Sequence, residues 1–456
     1  MGITIIQKSD LRQKKHNSKI ALVLSGGAVS GGAFKAGGLK AFNDFLVNRK
    51  VNDFDIYVGI SAGGLLAVPL AGGLPPEEIL KSLEGTSERF SQLSPLAMYF
   101  PNWKEMLSRP LDYLYRRGTY IPAVILDAIQ AIPNISEELK KGFVTFAKRP
   151  NYSNYEKMIK PLANALYSSR NLPSLFSTLP SGIFDNRPIE KYLKENMRRN
   201  KMTNHFKVLK RLLGKELYIC ATELDSGDWS VFGWDERNDI SISEAVMAST
   251  AMPGFYKPAN IKGVDYIDGG VQKTANIDLA IQKGADLVIC YNPFRPLKNK
   301  IRLTYNREKG AYITRDKRIS GGGLFGVFNQ VFRTLYHSRL SYAINRYAQD
   351  KNFKGDIILI EPTEDDESFF QMNPFAFWTR SYAAKSGFES VRLSIEKHFD
   401  QIKAILGSYG IEMSKDLVEQ DEAELKAAEA SGREVLEVLE KPGSKRNKGK
   451  LRLISA

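Results

Sequence analysis

Two short apolar runs near the N-terminus each lead into a turn of small residues and then into a helix-like pattern. The runs cover residues 20–24 and 56–58. Apolar runs of this length, without alternating polar residues, are typical of strands buried on both faces of a parallel sheet. The pattern therefore predicts two strand–turn–helix units early in the fold.

The turn after the second run has the form Gly-x-Ser-x-Gly, with the sequence GISAG at residues 59–63. A strand, a sharp turn and a helix are the context of a nucleophile elbow, in which a strained serine is lifted clear of the sheet. Side chains at Gly59 or Gly63 would collide with the flanking elements. Ser61 is therefore a candidate nucleophile, although the motif alone also fits an ordinary Gly-rich turn.

The turn after the first run, SGGAVSGG at residues 25–32, offers bare backbone N–H groups to an anion. A dinucleotide site is rejected because the second strand ends in the serine turn instead of an acidic residue. A phosphate loop is rejected because Gly-Lys-Ser/Thr is absent. An oxyanion hole for acyl transfer fits, since the next strand supplies a nucleophile.

The rest of the chain contains further buried strands around one long helical block. The block covers residues 75–211, and strand-like runs return at 217–221, 285–290 and 357–360. Because the block interrupts the sheet pattern, it is predicted to be an inserted cap. A charged helix over residues 412–440 and a basic tail end the chain.

Composition and cysteine usage add little to this picture. Of the 456 residues, 43% are hydrophobic and 25% are charged, as in an ordinary globular protein. Residues 1–19 have no apolar core of a secretory signal, and residues 57–76 are uncharged but rich in Gly and Pro. We expect a cytoplasmic or peripheral membrane protein, with export by a signal-less route left open. Cys220 and Cys290 are expected to be buried thiols.

The net charge of +14 is concentrated in the cap, where residues 88–211 hold 21 Lys and Arg and 10 Asp and Glu among many aromatic residues. Such a segment favours an anionic partner. One interpretation is an outer face that adsorbs to an anionic membrane. The other is an aromatic core with solvated charges around it. Nucleic acid is not expected as a partner, because no nucleic-acid-binding module is recognisable.

Two later motifs complete the candidate site. They are ASTAMPGF at residues 248–255 and YIDGG at residues 266–270, which places Asp268 at a strand end beside Gly269 and Gly270. With the Gly-rich loop and the serine turn, these make four motifs in one order, and in that order the chain resembles the patatin-like phospholipase family.

The resemblance, together with the helical block and the charged end of the chain, predicts an α/β fold with a mainly parallel sheet, an inserted helical cap and a charged C-terminal extension. The catalytic domain is predicted over residues 18–405, with 75–211 as the cap, and the extension over 406–456. The resemblance itself covers roughly residues 18–295 and parts of 355–395, and it leaves out most of the cap and the tail.

The resemblance also implies a Ser–Asp dyad, with Ser61 as the nucleophile and Asp268 as the base. Gly26 and Gly27, together with Ala28, would donate N–H groups to the oxyanion. A carboxylate with an ordinary pKa is a poor base for serine, so burial or hydrogen bonding should raise the pKa of Asp268. No metal or organic cofactor is implied.

The chain departs from the family's Gly-Gly-Gly-x-Arg/Lys-Gly loop, because it has Gly-Gly-Ala-Val-Ser-Gly-Gly, one residue longer and without the basic residue. Lys35 lies close in sequence and could substitute electrostatically, but it is not included among the predicted site residues. A Ser-His-Asp triad would need His337 or His398. Both fall in helical patterns, so they are interpreted as ordinary surface or core histidines.

The sequence therefore predicts a serine lipid acyl hydrolase that cleaves fatty-acyl esters of glycerophospholipids through an acyl-Ser61 intermediate. An anionic membrane, contacted through the basic cap, is the expected partner. The alternative is a weakly or conditionally active protein that binds membrane lipids and has a degraded oxyanion loop.

Overall fold

The computed structural model describes residues 2–15, 17–167, 178–306, 311–313, 318–431 and 436–441. Its strands are β1 (Ile3–Gln7), β2 (Lys19–Leu24), β3 (Ile56–Gly59), β4 (Gly182–Phe184), β5 (Glu216–Glu223), β6 (Trp229–Phe232), β7 (Gly254–Tyr256), β8 (Ala259–Ile261), β9 (Val264–Asp268), β10 (Ala285–Tyr291), β11 (Thr304–Asn306), β12 (Ala311–Ile313) and β13 (Asp356–Ile360).

The helices follow the same chain order. They are α1 (Ala28–Phe45), α2 (Ala62–Ala71), α3 (Pro76–Glu84), α4 (Pro95–Met98), α5 (Trp103–Lys148), α6 (Tyr152–Tyr167), α7 (Arg187–Arg199), α8 (Phe206–Leu213), α9 (Ile242–Ser249), α10 (Ile277–Gln282), α11 (Gly323–Gln349), α12 (Glu367–Gln371), α13 (Arg380–Lys397), α14 (Phe399–Ser408), α15 (Asp416–Ser431) and α16 (Leu436–Leu439). Within these ranges, no helix is long and apolar enough to span a membrane.

Nine of the described strands form one central sheet. Its order is β1-β13-β10-β2-β3-β5-β9-β8, and β6 pairs with β5 outside this path. The five strands from β13 to β5 are mutually parallel, whereas β1, β6, β8 and β9 join in antiparallel fashion. The predicted α/β fold with a mainly parallel sheet is therefore confirmed.

Successive side chains of the parallel strands enter two different cores, because strand residues alternate between faces. On β2, Leu22 and Leu24 lie in one core with residues of α1, α2, α13 and α14. Ala21 and Val23 lie in the other core with residues of α10 and α11. Helices on both faces bury most residues of the parallel strands, which explains why these strands are mainly apolar runs.

The chain divides into two compact units, one of residues 1–100 and 185–456 and the other of residues 101–184. The smaller unit contains α5 and α6 and is narrower than the cap predicted over residues 75–211. The reason is that helices at both ends of the predicted cap contribute to the main core. Leu80 on α3, Leu193 on α7 and Leu209 on α8 are buried there.

The predicted C-terminal extension also belongs to the larger unit as far as it is described. Val418 and Leu425 of α15 lie in the main core. Lys40 Nζ on α1 is buried 2.5 Å from carboxylate oxygens of both Asp44 and Asp421. This ion cluster and the apolar contacts attach α15 to α1. The predicted basic tail after Lys441 lies outside the described residues.

We expect Lys40→Ala to lower the free energy of unfolding by about 3–5 kcal/mol, because it leaves two carboxylates without their cation in a buried place. Asp421→Asn should have a smaller effect, since Lys40 keeps Asp44 as its partner. Urea denaturation of both variants measures the difference. Equal losses would show that Lys40 does not hold this cluster together.

Candidate active site

Ser61 lies in a strained turn between β3 and α2. Its backbone has φ 53° and ψ −127°, in the left-handed region that non-glycine residues avoid. The Ser61 N–H donates a 2.8 Å hydrogen bond to Ser249 Oγ, and Ser249 Oγ donates a 2.6 Å bond to Cys220 O. Ser249 at the end of α9 therefore fixes the conformation that the Gly-x-Ser-x-Gly motif predicts.

The two glycines of this turn allow close contact between backbones. A Cβ atom on Gly59 would lie 2.6 Å from Gly64 Cα. One on Gly63 would lie 2.5 Å from Ser25 O and closer still to Leu24 O. Because carbonyl groups of the adjacent loop cannot yield as a flexible side chain can, both positions require glycine.

Gly63→Ala is expected to destabilise the fold by about 3 kcal/mol or more, because the added methyl group overlaps backbone. Gly64→Ala is the matched control, since its Cβ would have its nearest neighbour at 3.5 Å. Thermal unfolding should show a large drop in Tm for the first variant and little change for the second. Similar Tm values would contradict the tight packing of the turn.

Asp268 lies at the end of β9, beside the serine turn. The Ser61 side chain lies close enough to the Asp268 carboxylate to favour the ionised form, and the Gly270 N–H donates a 2.8 Å hydrogen bond to Oδ1. The residue is only 6% exposed. Burial raises the pKa of Asp268 to about 6, against the lowering effects of Ser61, Gly270 and the charge of Lys35. A carboxylate of this kind suits a general base near neutral pH.

The Gly-rich loop between β2 and α1 faces the serine turn. A Cβ atom on Gly26 would lie 3.4 Å from Ser61 Cβ. Gly27 and Ala28 both have positive φ, at 151° and 52°. Among the described residues, none accepts a hydrogen bond from the N–H groups of these three residues. These N–H groups are therefore available to an oxyanion.

The neighbouring N–H groups of α1 already have a partner. Those of Val29 and Ser30 donate to Pro374 O at 3.0 and 3.1 Å. This carbonyl caps two of the N–H groups that a helix N-terminus leaves free. The contact restricts anion binding to the loop that precedes the helix.

Lys35 on α1 supports the loop from inside the protein. Its Nζ donates to Gly26 O at 2.8 Å and also to Ser25 O. Burial lowers the pKa of Lys35 to about 7, although the negative charge of Asp268 opposes the change. The structure thus brings a cation to the loop whose sequence lacks the expected basic residue.

The loop after β10 lies against the other side of the Gly-rich loop. A Cβ atom on Gly26 would meet Phe294 at 3.2 Å, and one on Gly27 would meet Pro293 at 2.8 Å. The buried Arg333 donates from Nη1 to Pro293 O at 3.2 Å. Pro293 and Phe294 of the loop after β10, which Arg333 on α11 contacts, therefore restrict how far the Gly-rich loop can move.

An apolar pocket begins at Ala28 and Ala62, the residues that follow Gly27 and Ser61. Its volume is about 100 Å³. Most lining side chains are apolar, and they include Val29, Leu66, Ile79, Phe90, Met98 and Phe377. A hydrocarbon chain attached to a group at Ser61 would find an apolar environment here.

The family follows from the sequence match over this same region. The patatin-like phospholipase model matches residues 22–281, which include all four motifs. The chain belongs to the patatin-like phospholipase family.

Curated relatives match shorter parts of the chain. "Probable lipid hydrolase 463L" of Invertebrate iridescent virus 6 is 27% identical over 146 residues, 31% of this chain and 50% of the viral protein. "Uncharacterized protein YjjU" of Escherichia coli K12 is 30% identical over 77 residues, 17% of this chain and 21% of that protein. The chain therefore matches half of the length, or less, of each relative.

Two solved structures are similar at low TM-scores. VipD from Legionella pneumophila gives a TM-score of 0.35 at 17% identity, covering 95% of this chain and 80% of VipD. Human GIVD cytosolic phospholipase A2 gives a TM-score of 0.26 at 9% identity, covering 86% of this chain and 60% of that chain.

The two histidines considered for a triad have other surroundings in this patatin-like protein. His337 Nδ1 lies 3.1 Å from Glu361 Oε1, and His398 lies at the junction of α13 and α14. Cys220 and Cys290 are buried free thiols. No group of three His, Cys, Asp or Glu suited to a metal occurs in the part of the chain that the structure describes.

Sequence reasoning missed several residues that shape the patatin-like site. Ser249 is visible in the sequence only as part of the ASTAMPGF motif, while no role is predicted for Pro293, Phe294, Arg333 or Pro374. Each acts on a loop that is distant in the chain, so no local pattern signals its role. The N–H of Ala62, directly after the nucleophile, also has no acceptor among the described residues, and the position after the nucleophile is a common oxyanion donor.

Proposed function

We propose that the protein is a serine lipid acyl hydrolase that cleaves fatty-acyl esters of glycerophospholipids. The observation that supports this most is the strained Ser61 beside the buried Asp268, whose ionised form the Ser61 side chain favours. Free N–H groups of the Gly-rich loop and the apolar pocket lie beside the pair. Family membership and a viral relative named as a probable lipid hydrolase agree with the proposal.

The first step forms the acyl enzyme. Ser61 Oγ attacks the ester carbonyl carbon while Asp268 accepts the serine proton. The negative charge that develops on the carbonyl oxygen is stabilised by the N–H groups of Gly26, Gly27 and Ala28. When the tetrahedral intermediate collapses, the C–O bond to the lysophospholipid breaks. The leaving oxygen takes the proton from Asp268.

The second step releases the fatty acid. Asp268, again a carboxylate, accepts a proton from water as the water oxygen attacks the acyl carbon. The same N–H groups stabilise the second oxyanion, and collapse returns the proton to Ser61 Oγ. Throughout, the acyl chain would occupy the pocket between α1 and α2, where its contact with water is reduced.

The alternative of a weakly or conditionally active lipid-binding protein rests on the unusual Gly-rich loop. Lys35, Phe294 and the Pro374 carbonyl all contact this loop or the helix start after it. Such support favours a preorganised oxyanion site, so we favour an active hydrolase.

The test is fatty-acid release from phospholipid vesicles by the wild type and by Ser61→Ala. A fluorophosphonate, which phosphonylates activated serines, should label Ser61 in the wild type only, as measured by mass spectrometry. Release and labelling that both disappear in the variant support the proposal. Labelling without release favours a conditional enzyme, and neither labelling nor release in the wild type contradicts an active dyad.

We also propose that an anionic membrane supplies the substrate and that the cap takes part in the contact. Several described aromatic side chains of the 101–184 unit are exposed, including Trp103, Tyr115, Phe143 and Tyr152, whereas Tyr113 is buried. This exposure favours the surface interpretation over an aromatic core for these residues. Basic residues among them would attract anionic lipid.

A further inference from the structure

Helix α11 has apolar side chains on two opposite sides. Its inner side buries Tyr336, Leu340, Ile344 and Tyr347. Its outer side has six large apolar residues that are between 36% and 73% exposed. They are Leu324, Val327, Phe328, Val331, Phe332 and Leu335. Steps of three and four residues place them on one side of the helix, and a continuous exposed apolar surface of this kind is typical of an interaction site.

The exposed stretch lies at the active-site end of the sheet. Helix α11 connects the parallel strands β10 and β13, so it runs back from their C-terminal ends. Its 27 residues span about 40 Å, whereas the five residues of β13 span about 17 Å. Leu340 and Ile344 pack on the sheet, so the first half of the helix extends beyond the strand ends.

Contacts of Tyr336 show which part of α11 lies beside the candidate active site. Its ring packs edge-on against Phe294 with centroids 4.8 Å apart. A Cβ atom on Gly270 would lie 3.8 Å from its hydroxyl oxygen. Tyr336 thus lies beside the loop that follows Asp268, and the exposed residues 324–335 precede it on the side away from the sheet.

The sequence that leads into this helix and forms it is strongly positive. Residues 295–349 contain twelve Lys and Arg and two Asp and Glu, and the sequence of α11 itself contains no acidic residue. Arg339 and Arg346 lie on the exposed part of the helix. An apolar strip with basic residues at its borders is complementary to an anionic bilayer, where apolar side chains enter the interface and cations contact headgroups.

We propose that residues 324–335 of α11 dock on an anionic phospholipid bilayer and hold the active-site opening against it. This inference deepens the proposed function, on which it rests for the identity of the substrate. It assigns the insertion into the membrane to the larger unit, whereas the basic cap contributes longer-range attraction. A second copy of the chain or a protein partner would need no anionic lipid, so the test distinguishes them.

Single-cysteine labelling locates the contact directly, because the chain's two native cysteines are both buried. An environment-sensitive fluorophore is attached to Leu335→Cys, to Leu393→Cys and to Tyr152→Cys. Leu335 and Leu393 are equally exposed, at 45% and 46%, but Leu393 is on α13 at the opposite face of the sheet. Tyr152 on the cap is 81% exposed.

With vesicles that contain phosphatidylserine, the label at Leu335→Cys should shift its emission to the blue and be quenched by lipid-borne quenchers. Pure phosphatidylcholine vesicles should give a much weaker response, and the label at Leu393→Cys should give none. A response at Tyr152→Cys alone would assign the contact to the cap and overturn the proposal. Absence of any response would overturn it as well.

Co-sedimentation with the same vesicles gives a second measure. The variant Phe328→Ser/Val331→Ser/Leu335→Ser should bind at least about tenfold more weakly, because three side chains lose apolar burial. Its Tm should stay near that of the wild type. If the Tm falls, the labelling experiment alone tests the docking proposal. Unchanged binding by the folded variant, or a change of oligomeric state instead, would contradict membrane docking.

Ser61→Ala separates this inference from the proposed activity. It should bind vesicles as the wild type does, because Ser61 is not part of the docking surface. If the wild type binds through α11 but releases no fatty acid, the docking proposal stands and the hydrolase proposal fails. If the protein hydrolyses vesicle lipid but the label at Leu335→Cys shows no membrane contact, the hydrolase proposal stands and the docking proposal fails.

Discussion

Asp268→Asn is expected to lower kcat by about 10³- to 10⁴-fold without unfolding the protein. Asparagine has the same shape and can still accept the hydrogen bond from the Gly270 N–H, but it cannot take the proton of Ser61. The nucleophile then stays protonated during attack. Initial rates of ester hydrolysis, measured together with far-UV circular dichroism, separate lost chemistry from lost structure.

The raised pKa of Asp268 also predicts how activity changes with pH. Burial raises the pKa of Asp268 to about 6, and a base works only when it is deprotonated. The wild-type kcat/KM should therefore increase as the pH rises through about 6, and the residual activity of Asp268→Asn should lack this limb. His337→Ala is the control, because His337 is paired with Glu361. If His337→Ala loses as much activity as Asp268→Asn, the dyad is wrong.

Stability should change in the opposite direction to activity. In the folded protein the pKa of Asp268 lies above its ordinary value, so the folded state binds more protons than the unfolded state between the two values. Ionisation of Asp268 consequently destabilises the fold as the pH rises through this window. Above pH about 6, Asp268→Asn should have a Tm equal to or higher than that of the wild type. A merely structural role for Asp268 predicts a lower Tm.

The elements around Ser61 could be predicted because their determinants are local. The run 56–58, the turn that follows it and the small residues at Gly59 and Gly63 lie within one short stretch, and the backbone contacts of the turn exclude other residue types. The position of Asp268 could be predicted for the same reason, since a strand end followed by two glycines is visible in the sequence. The order of these motifs, and not any one of them, identified the family.

The limits of the cap could not be predicted from local patterns. A helix that covers the edge of a core and a helix of an inserted cap have the same amphipathic sequence, so α7 and α8 could not be distinguished from α5. The attachment of α15 was invisible as well. It depends on Lys40 and Asp421, which are 381 positions apart in the chain, and a charged helix usually has its charges in solvent.

Lys35→Met is expected to reduce kcat by about 10- to 100-fold, because small displacements of oxyanion donors have effects of this size. Methionine fills a similar volume but cannot donate to the carbonyl oxygens of Ser25 and Gly26. KM should change less than kcat, since the apolar pocket is not altered. Loss of a buried charge offsets the two lost hydrogen bonds, so the Tm should remain within a few degrees of the wild-type value.

The pH profile distinguishes this role from a structural one. Burial lowers the pKa of Lys35 to about 7, so the wild type should lose activity above that pH as the cation is neutralised. Lys35→Met should lack this falling limb. Its rising limb should also move to higher pH, because the charge of Lys35 lowers the pKa of Asp268. Stopped-assay rates over a range of pH measure both effects.

Lys50→Met is the matched control, because Lys50 also donates to backbone carbonyls, those of Asn43 and Leu46 at the far end of α1. Lys50→Met should lower the Tm and leave the dependence of activity on pH unchanged. If Lys35→Met behaves in the same way, the packing of Pro293 and Phe294 positions the Gly-rich loop without help from the cation. The missing basic residue of the family motif would then have no electrostatic replacement, and backbone N–H groups alone would stabilise the oxyanion.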